Sequence, residues 1–148
     1  STIALTSLIS PVLAAARGMH RSHKIQCART PELSLSVDPA LIEIALLNLI
    51  DNACKYAPAS ESVDLDSALC DAMLGITVTD HGPGLPASEQ AAIFKPYVRA
   101  AKEKGATGYG LGLAFVAHIA ELHHGRVDVT NPPQGGCQFT LWLPHRSV

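Results

Sequence analysis

Hydrophobic positions at helical spacing predict three substantial helices. The first covers residues 2–17 and has apolar side chains at helical intervals: Leu5, Leu8, Ile9, Val12 and Leu13. Because Pro11 lies inside this run, we expect a kink or a later start of that helix. The second runs from Asp38-Pro39 to about Tyr56, since Asp favours the N-cap and Pro the first helical position. The third begins near Gly112 and ends at Gly125.

Shorter apolar segments have the alternation and length of strands. They are Lys24–Ala28, Leu33–Val37, Ser62–Ser67, Gly75–Thr79, Arg126–Thr130 and Cys137–Leu143. A short helix is predicted around Ser88–Phe94, and a mobile loop over Ala100–Tyr109. This order predicts one α/β domain in which helices cover one face of a sheet.

Composition narrows the class of protein. The 148 residues are 47% hydrophobic and 16% charged, which is typical of a globular domain with one core. A formal net charge of −2 gives no electrostatic reason to expect nucleic acid or a membrane surface as a partner. The four cysteines are isolated, which favours reduced thiols in a cytoplasmic protein. No apolar run reaches the roughly 18–20 residues that span a bilayer, and the first residues do not resemble a signal peptide.

The second helix has a narrow polar stripe. At about 100° per residue, Asn48, Asp51, Asn52 and Lys55 fall on one side, with Tyr56 at the edge. Asparagine oxygens suit Mg²⁺, and lysine is a donor to phosphate. The same stripe could equally be the solvent face of a packed helix, and the helix alone leaves both interpretations open.

Two further segments are glycine-rich. Asp80-His-Gly82-Pro-Gly84 follows a predicted strand and places a carboxylate beside a backbone that a ligand can approach closely, although this pattern is also a common turn. The segment from Gly105 to Leu113 approaches the start of the third helix, where backbone N–H groups favour an anion. Four glycines in that segment favour a flexible loop that covers phosphate over a plain connector.

A fourth segment, Phe94-Lys-Pro-Tyr97, lies between these two. Taken alone, it is interpreted as the end of a short amphipathic helix with two aromatic anchors. Arg99, Lys102 and Lys104 follow it and are the cationic cluster nearest the glycine-rich segment. They are either solvated loop charges or residues that steer a triphosphate.

In order and spacing, residues 36–143 resemble the N, G1, F and G2 boxes of histidine kinase ATPase domains, within the gyrase/HSP90/MutL superfamily. The resemblance implies the Bergerat fold, a two-layer α/β sandwich with a mixed, mostly antiparallel sheet and a flexible ATP lid over about Pro86–Gly108. It also implies that ATP and Mg²⁺ bind, with Asn52 on the metal. The nucleotide-binding residues it implies are Asn48, Asn52, Lys55, Tyr56, Asp80, Gly82, Gly84, Leu85, Tyr97, Arg99, Gly108, Tyr109, Gly110, Leu111 and Gly112.

Individual roles follow from the same resemblance. Asp80 accepts a hydrogen bond from the adenine amino group, and Lys55 contacts phosphate. Asn48, Asn52 and Lys55 form the catalytic set. Gyrase-, HSP90- and MutL-like ATPases have glutamate at the position of Asn48 to activate water, whereas asparagine cannot take a proton. The resemblance therefore favours phosphotransfer to histidine. A regulatory nucleotide-binding module and an anti-sigma-type serine kinase are the alternatives.

The acceptor histidine itself is not evident in this sequence. His20 and His23 lie outside any helix with an acidic neighbour, so the histidine is expected on a separate dimerisation and phospho-acceptor domain. Residues 1–20 are interpreted as a helical connector to that domain and residues 21–148 as the catalytic ATP-binding domain. The resemblance further implies a response regulator as an indirect partner, a cytoplasmic position in an inner-membrane sensor kinase, and a monomeric isolated domain.

Overall fold

The computed structural model describes residues 2–57, 61–90, 92–94 and 112–145. Its helices are α1 (Leu5–Met19), α2 (Pro39–Tyr56), α3 (Ala87–Gln90) and α4 (Gly112–Leu122). Its strands are β1 (Ile3–Ala4), β2 (Lys24–Cys27), β3 (Ser34–Leu35), β4 (Ser62–Cys70), β5 (Met73–Asp80), β6 (Arg126–Thr130) and β7 (Cys137–Pro144). In the part of the chain so described, no helix is both long enough and apolar enough to cross a membrane.

Five of the strands form one sheet in the order β2-β4-β5-β7-β6. The β2–β4 pair is parallel and the other pairs are antiparallel. This arrangement confirms the predicted mixed, mostly antiparallel sheet. Helices α1, α2 and α4 pack on it and on one another, which completes the predicted two-layer α/β sandwich.

The two faces of the sheet differ in polarity because side chains alternate along each strand. In β5, Leu74, Ile76 and Val78 are fully buried and share a face with Asp80. Their partners on β7 are also apolar and buried: Leu143, Leu141 and Phe139. The opposite face pairs Thr77 with Thr140 and Thr79 with Gln138. The helices therefore cover the apolar face, and Asp80 is the acid on that face of β5.

Some predicted bounds were wrong. Helix α1 starts at Leu5 rather than at residue 2, because Ile3–Ala4 pairs with Ser34–Leu35 in a separate two-stranded sheet. The helix also continues across Pro11. The predicted strand Leu33–Val37 is thus shorter and outside the main sheet. Short helix α3 ends at Gln90, and residues 92–94 lie in turns.

Helices α2 and α4 run antiparallel and are tied at one end by a histidine. Asp38 is the N-cap of α2, where its Oδ1 accepts from Ala40 N–H at 3.1 Å and Leu41 N–H at 3.3 Å. The Asp38 backbone N–H donates to His123 Nε2, just beyond the end of α4, at 3.1 Å. Because His123 Nδ1 also lies 2.8 Å from the Ile119 carbonyl oxygen, this ring is the neutral Nδ1–H tautomer. The start of α4 consequently faces the second half of α2.

Candidate functional site

Asp80 lies at the end of β5 and is fully buried. Its Oδ1 accepts from the backbone N–H of Gly82 at 2.9 Å, and the backbone N–H of Cys137 on β7 favours the charged form of the carboxylate. The other oxygen, Oδ2, is buried and has no hydrogen-bond partner among the described residues. A buried acceptor in this state suits a ligand that brings its own N–H donor.

The electrostatics of Asp80 follow from its burial. Desolvation raises the pKa of Asp80 above the ordinary aspartate value, because water that would stabilise the charged form is excluded. The backbone N–H groups of Gly82 and Cys137 and the nearby His81 oppose that rise in pKa. A raised pKa at a buried acid with a free oxygen is typical of a functional site rather than of a structural ion pair.

The segment after Asp80 turns tightly against the loop between β6 and β7. Gly84 has φ +83°, and a Cβ on it would lie 3.0 Å from the Gly136 carbonyl oxygen. Gly136 has φ +86°, and a Cβ there would lie 2.0 Å from the Asp80 carbonyl oxygen. Both positions require glycine, because left-handed backbone and close approach coincide there.

A small cavity opens beside this turn. Its lining is mostly apolar and consists of Gly84, Leu85, Ile93, Cys137 and Phe139. Phe94 stacks edge to face on Phe139, with ring centroids 6.1 Å apart. Cys137 both lines the cavity and is the register partner of Asp80, so the free carboxylate oxygen belongs to the same region. An apolar cavity with one convergent acceptor suits a flat heterocycle that carries an amino group.

In the structure, the residues of the polar stripe of α2 differ in their contacts. Asn48 Nδ2 donates to the Ile44 carbonyl oxygen at 3.0 Å, and Lys55 is exposed. His20 Nε2 lies 3.0 Å from Asp51 Oδ1, so Asp51 is engaged by the segment that follows α1. Asn52 Nδ2 is buried and has no partner in the described ranges. Asn52 is therefore the member of the stripe that has a hydrogen-bonding group in need of a ligand.

The start of α4 meets this stripe. A Cβ built on Gly112 would lie 3.5 Å from Asn48 Oδ1, so the first residue of α4 contacts the middle of α2. The structure thereby brings together two of the predicted segments that are far apart in sequence. A helix N-terminus and asparagine amides at one place suit an anion such as phosphate.

The donor set at this junction also fits a divalent cation. The buried Asn52 amide can present its amino group to a phosphate oxygen or, turned over, its carbonyl to Mg²⁺. The described residues contain no cluster of three or more His, Cys, Asp or Glu that could hold a metal on their own. A cation here would therefore need further oxygen ligands from phosphate and water.

Several predicted site residues fall outside the described residues. They are Tyr97, Arg99, Gly108, Tyr109, Gly110 and Leu111, and the predicted loop over Ala100–Tyr109 lies there with them. Tyr56 is the last residue of α2, and the structure describes its backbone only. The predicted residues that the structure does bring together are Asp80, Gly82, Gly84 and Leu85 at one end, and Asn48, Asn52 and Gly112 at the other.

Sequence reasoning missed two residues of the site. Cys137 begins a predicted strand, but its pairing with Asp80 depends on strand register, which the sequence does not state. Asn131 lies between two predicted strands, and its side chain bonds to both backbone groups of Leu85. Its position at the head of a Pro- and Gly-rich turn was the only available signal.

A family model matches residues 37–147, and its description is histidine kinase-, DNA gyrase B- and HSP90-like ATPase. The matched range covers α2, the Asp80 turn, α4 and the last strand. All of the site residues described above lie within it.

Curated relatives are bacterial sensor proteins. The chain is 38% identical over 118 residues to sensor protein KdpD of Escherichia coli, covering 80% of this chain and 13% of that protein. It is 38% identical over 112 residues to the adaptive-response sensory kinase SasA of a Synechococcus strain, covering 75% of this chain and 30% of that protein. The chain thus spans less than a third of the length of these relatives.

Solved structures with the same fold include two from mycobacteria. The mycobacterial sensor histidine kinase MprB superposes with a TM-score of 0.90 at 26% identity, over 100% of both chains. The ATP-binding domain of PrrB from Mycobacterium tuberculosis superposes with a TM-score of 0.80 at 28% identity, over 99% of this chain and 97% of that one.

Proposed function

Because the chain belongs to the family of histidine kinase-, DNA gyrase B- and HSP90-like ATPases, we propose that it binds Mg-ATP and transfers the γ-phosphoryl group to a histidine. The observation that carries this proposal is Asp80 Oδ2, which is buried beside an apolar cavity and has no partner among the residues that the structure describes. Adenine fits both features, since its ring fills an apolar slot and its amino group donates to a carboxylate. Guanine has a carbonyl oxygen where adenine has its amino group, so guanine would place one acceptor against another at the Asp80 carboxylate.

The phosphates then extend toward the junction of α2 and α4. Asn52 is the proposed Mg²⁺ ligand, with Asn48 beside it and Lys55 reaching phosphate from the exposed end of α2. The backbone at Gly112 offers the N-terminal end of α4 to the phosphates. When bound, Mg²⁺ neutralises charge on the transferring phosphoryl group.

Asn48 favours phosphotransfer over hydrolysis. An amide cannot accept a proton from water, and Asn48 Nδ2 is already engaged with the Ile44 carbonyl oxygen. The nucleophile is instead an imidazole nitrogen that arrives from another domain. It forms a bond to the γ-phosphorus as the bond from that phosphorus to the bridging oxygen breaks, and ADP leaves. The chain's own contribution is to position ATP and to exclude water.

The partners follow from this reaction. The histidine belongs to a dimerisation and phospho-acceptor domain of the same kinase, and a response regulator receives the phosphoryl group afterwards. Residues 1–20 are proposed to lead to that domain, although α1 also contributes buried side chains to the core of this one. We place the domain on the cytoplasmic side of an inner-membrane sensor kinase and expect the isolated chain to be a monomer.

The test is phosphotransfer with γ-labelled ATP to the phospho-acceptor domain of the parent kinase. We expect label on that domain that is lost in acid and stable in base, the signature of phosphohistidine. Label that survives acid would instead indicate a serine kinase. Tight ATP binding without any transfer would leave a regulatory nucleotide-binding module and would refute the kinase proposal.

A further inference from the structure

The side chain of Asn131 holds the backbone of Leu85 at two points. Asn131 Oδ1 accepts from the Leu85 N–H at 3.0 Å, and Asn131 Nδ2 donates to the Leu85 carbonyl oxygen at 2.7 Å. Gln90 Nε2 donates to the same carbonyl oxygen at 3.0 Å. The amide of Asn131 thus pairs with one residue of the loop as a neighbouring strand would, although the two residues are 46 positions apart.

The restrained residue forms a wall of the cavity. Leu85 is 5% exposed and lines the cavity together with Cys137, the register partner of Asp80. Gly84, one residue earlier, is so close that an added Cβ would lie 3.3 Å from Asn131 Oδ1. The loop between β6 and β7 therefore supports this wall from outside the cavity.

Apart from the bond that Gln90 donates to its carbonyl oxygen, the backbone of Leu85 is held by Asn131. It lies in the stretch between β5 and α3, which has no strand partner, and α3 is only four residues long. Within the described residues, its N–H has one acceptor, which is Asn131. Removal of this amide would leave the Leu85 N–H buried without a partner, and the wall would move to find one.

We propose that Asn131 is a positioning residue for adenine recognition: it sets the distance between the Leu85 wall and the Asp80 carboxylate. This inference rests on the proposed function, since it assumes that adenine occupies the cavity. Asn131 does not touch the nucleotide and acts through Leu85. Its loss should widen the slot and reduce the preference for adenine, while the phosphate end of the site is unchanged.

The experiment measures the Kd of ATP and GTP by titration calorimetry for the 148-residue chain and three variants. Asn131→Ala removes both hydrogen bonds. Asn131→Asp keeps the acceptor for the Leu85 N–H but places a carboxylate oxygen against the Leu85 carbonyl. Gln134→Ala is the matched control, because Gln134 is an exposed amide in the same loop.

We expect the Kd of ATP to rise about tenfold in Asn131→Ala and at least as much in Asn131→Asp, with GTP affinity and binding stoichiometry unchanged. A merely structural role would lower the stoichiometry, as less protein folds, and would leave the ATP-to-GTP ratio of Kd values intact. That result, or wild-type affinity in both variants, would overturn the inference. If the Asn131 inference fails but Asp80→Asn still weakens ATP binding, the proposed function stands. If the wild-type chain does not bind ATP, both fail.

Discussion

Cys137 lies directly opposite Asp80 in the β5–β7 register, and its backbone N–H opposes the rise in the pKa of Asp80 that burial causes. The position of the acid is thereby fixed by the sheet on one side and by the turn at Gly82 on the other. Asp80 Oδ1 is held by the Gly82 N–H, and Oδ2 is buried with no hydrogen-bond partner in the part of the chain that the structure describes.

The first prediction concerns the stability of the chain without nucleotide. Burial raises the folded-state pKa of Asp80, so the folded state prefers the protonated acid. The stabilisation from this preference is fully present below the unfolded pKa of about 4 and is lost as the pH rises through the folded pKa. Asp80→Asn is neutral throughout and keeps an acceptor for Gly82. Its Tm should exceed that of the wild type at pH 8, with a difference that disappears toward pH 4.

Differential scanning fluorimetry across this pH range checks the sign. A variant that is less stable than the wild type at pH 8 would show that the buried carboxylate stabilises the fold, contrary to the argument from desolvation. The measurement requires no ligand, so it is independent of the proposed function.

The same substitution should impair nucleotide recognition. Asn at position 80 presents an amino group where the adenine amino group needs an acceptor, so we expect ATP affinity to fall at least tenfold. GTP, which binds without this contact, should be affected much less. Equal losses for ATP and GTP in a calorimetric titration would mean that Asp80 does not contact the base.

Two adjacent glycines allow backbone strain to be separated from a steric clash. Gly135 and Gly136 both have positive φ, of +98° and +86°, but a Cβ on Gly135 meets no atom within 4 Å. Gly135→Ala should therefore lower the free energy of unfolding only by the backbone strain of a positive φ, about 1–2 kcal/mol. In urea denaturation, Gly136→Ala should lower the free energy of unfolding by clearly more than Gly135→Ala does. It should also weaken ATP binding, because its methyl group displaces the Asp80 carbonyl. Similar losses in the two variants would contradict the close contact.

The cysteines should differ in reactivity. Desolvation and nearby acids raise the pKa of Cys54 to about 11 and that of Cys137 to about 12, whereas Cys70 is exposed. Because the thiolate is the nucleophile, iodoacetamide at pH 8 should label Cys70 well before either buried thiol. Mass spectrometry of the labelled peptides gives the order, and Cys70→Ser removes the fast phase. Early labelling of Cys137 would contradict its burial and would show that solvent reaches the cavity freely.

The sequence predicted the central helix and most of the main sheet because their signals are local. Asp38-Pro39 starts α2, whose C-cap is Ala57, and alternation identifies β7. The pairing of Ile3–Ala4 with Ser34–Leu35 was missed because a two-residue strand has no periodicity to detect.

The candidate site was predictable where its residues are clustered in sequence. Asp80 to Gly84 and Asn48 to Lys55 each occupy one short segment, which a sequence pattern can detect. Asn131 was not predictable, because its role depends on a contact with Leu85 across the fold. The different contacts of the α2 stripe residues were likewise not predictable, since the partner of Asp51 is His20, which precedes it by 31 positions.

The Kd of ATP in Mg²⁺ and in EDTA tests most directly whether this chain binds Mg-ATP through Asn52. We predict that Mg²⁺ tightens ATP binding to the wild type and to the control Asp51→Asn, whose side chain faces His20. Asn52→Ala should bind ATP weakly and equally in both conditions. Equal Kd values with and without Mg²⁺ for the wild type, or a full Mg²⁺ effect in Asn52→Ala, would contradict the account.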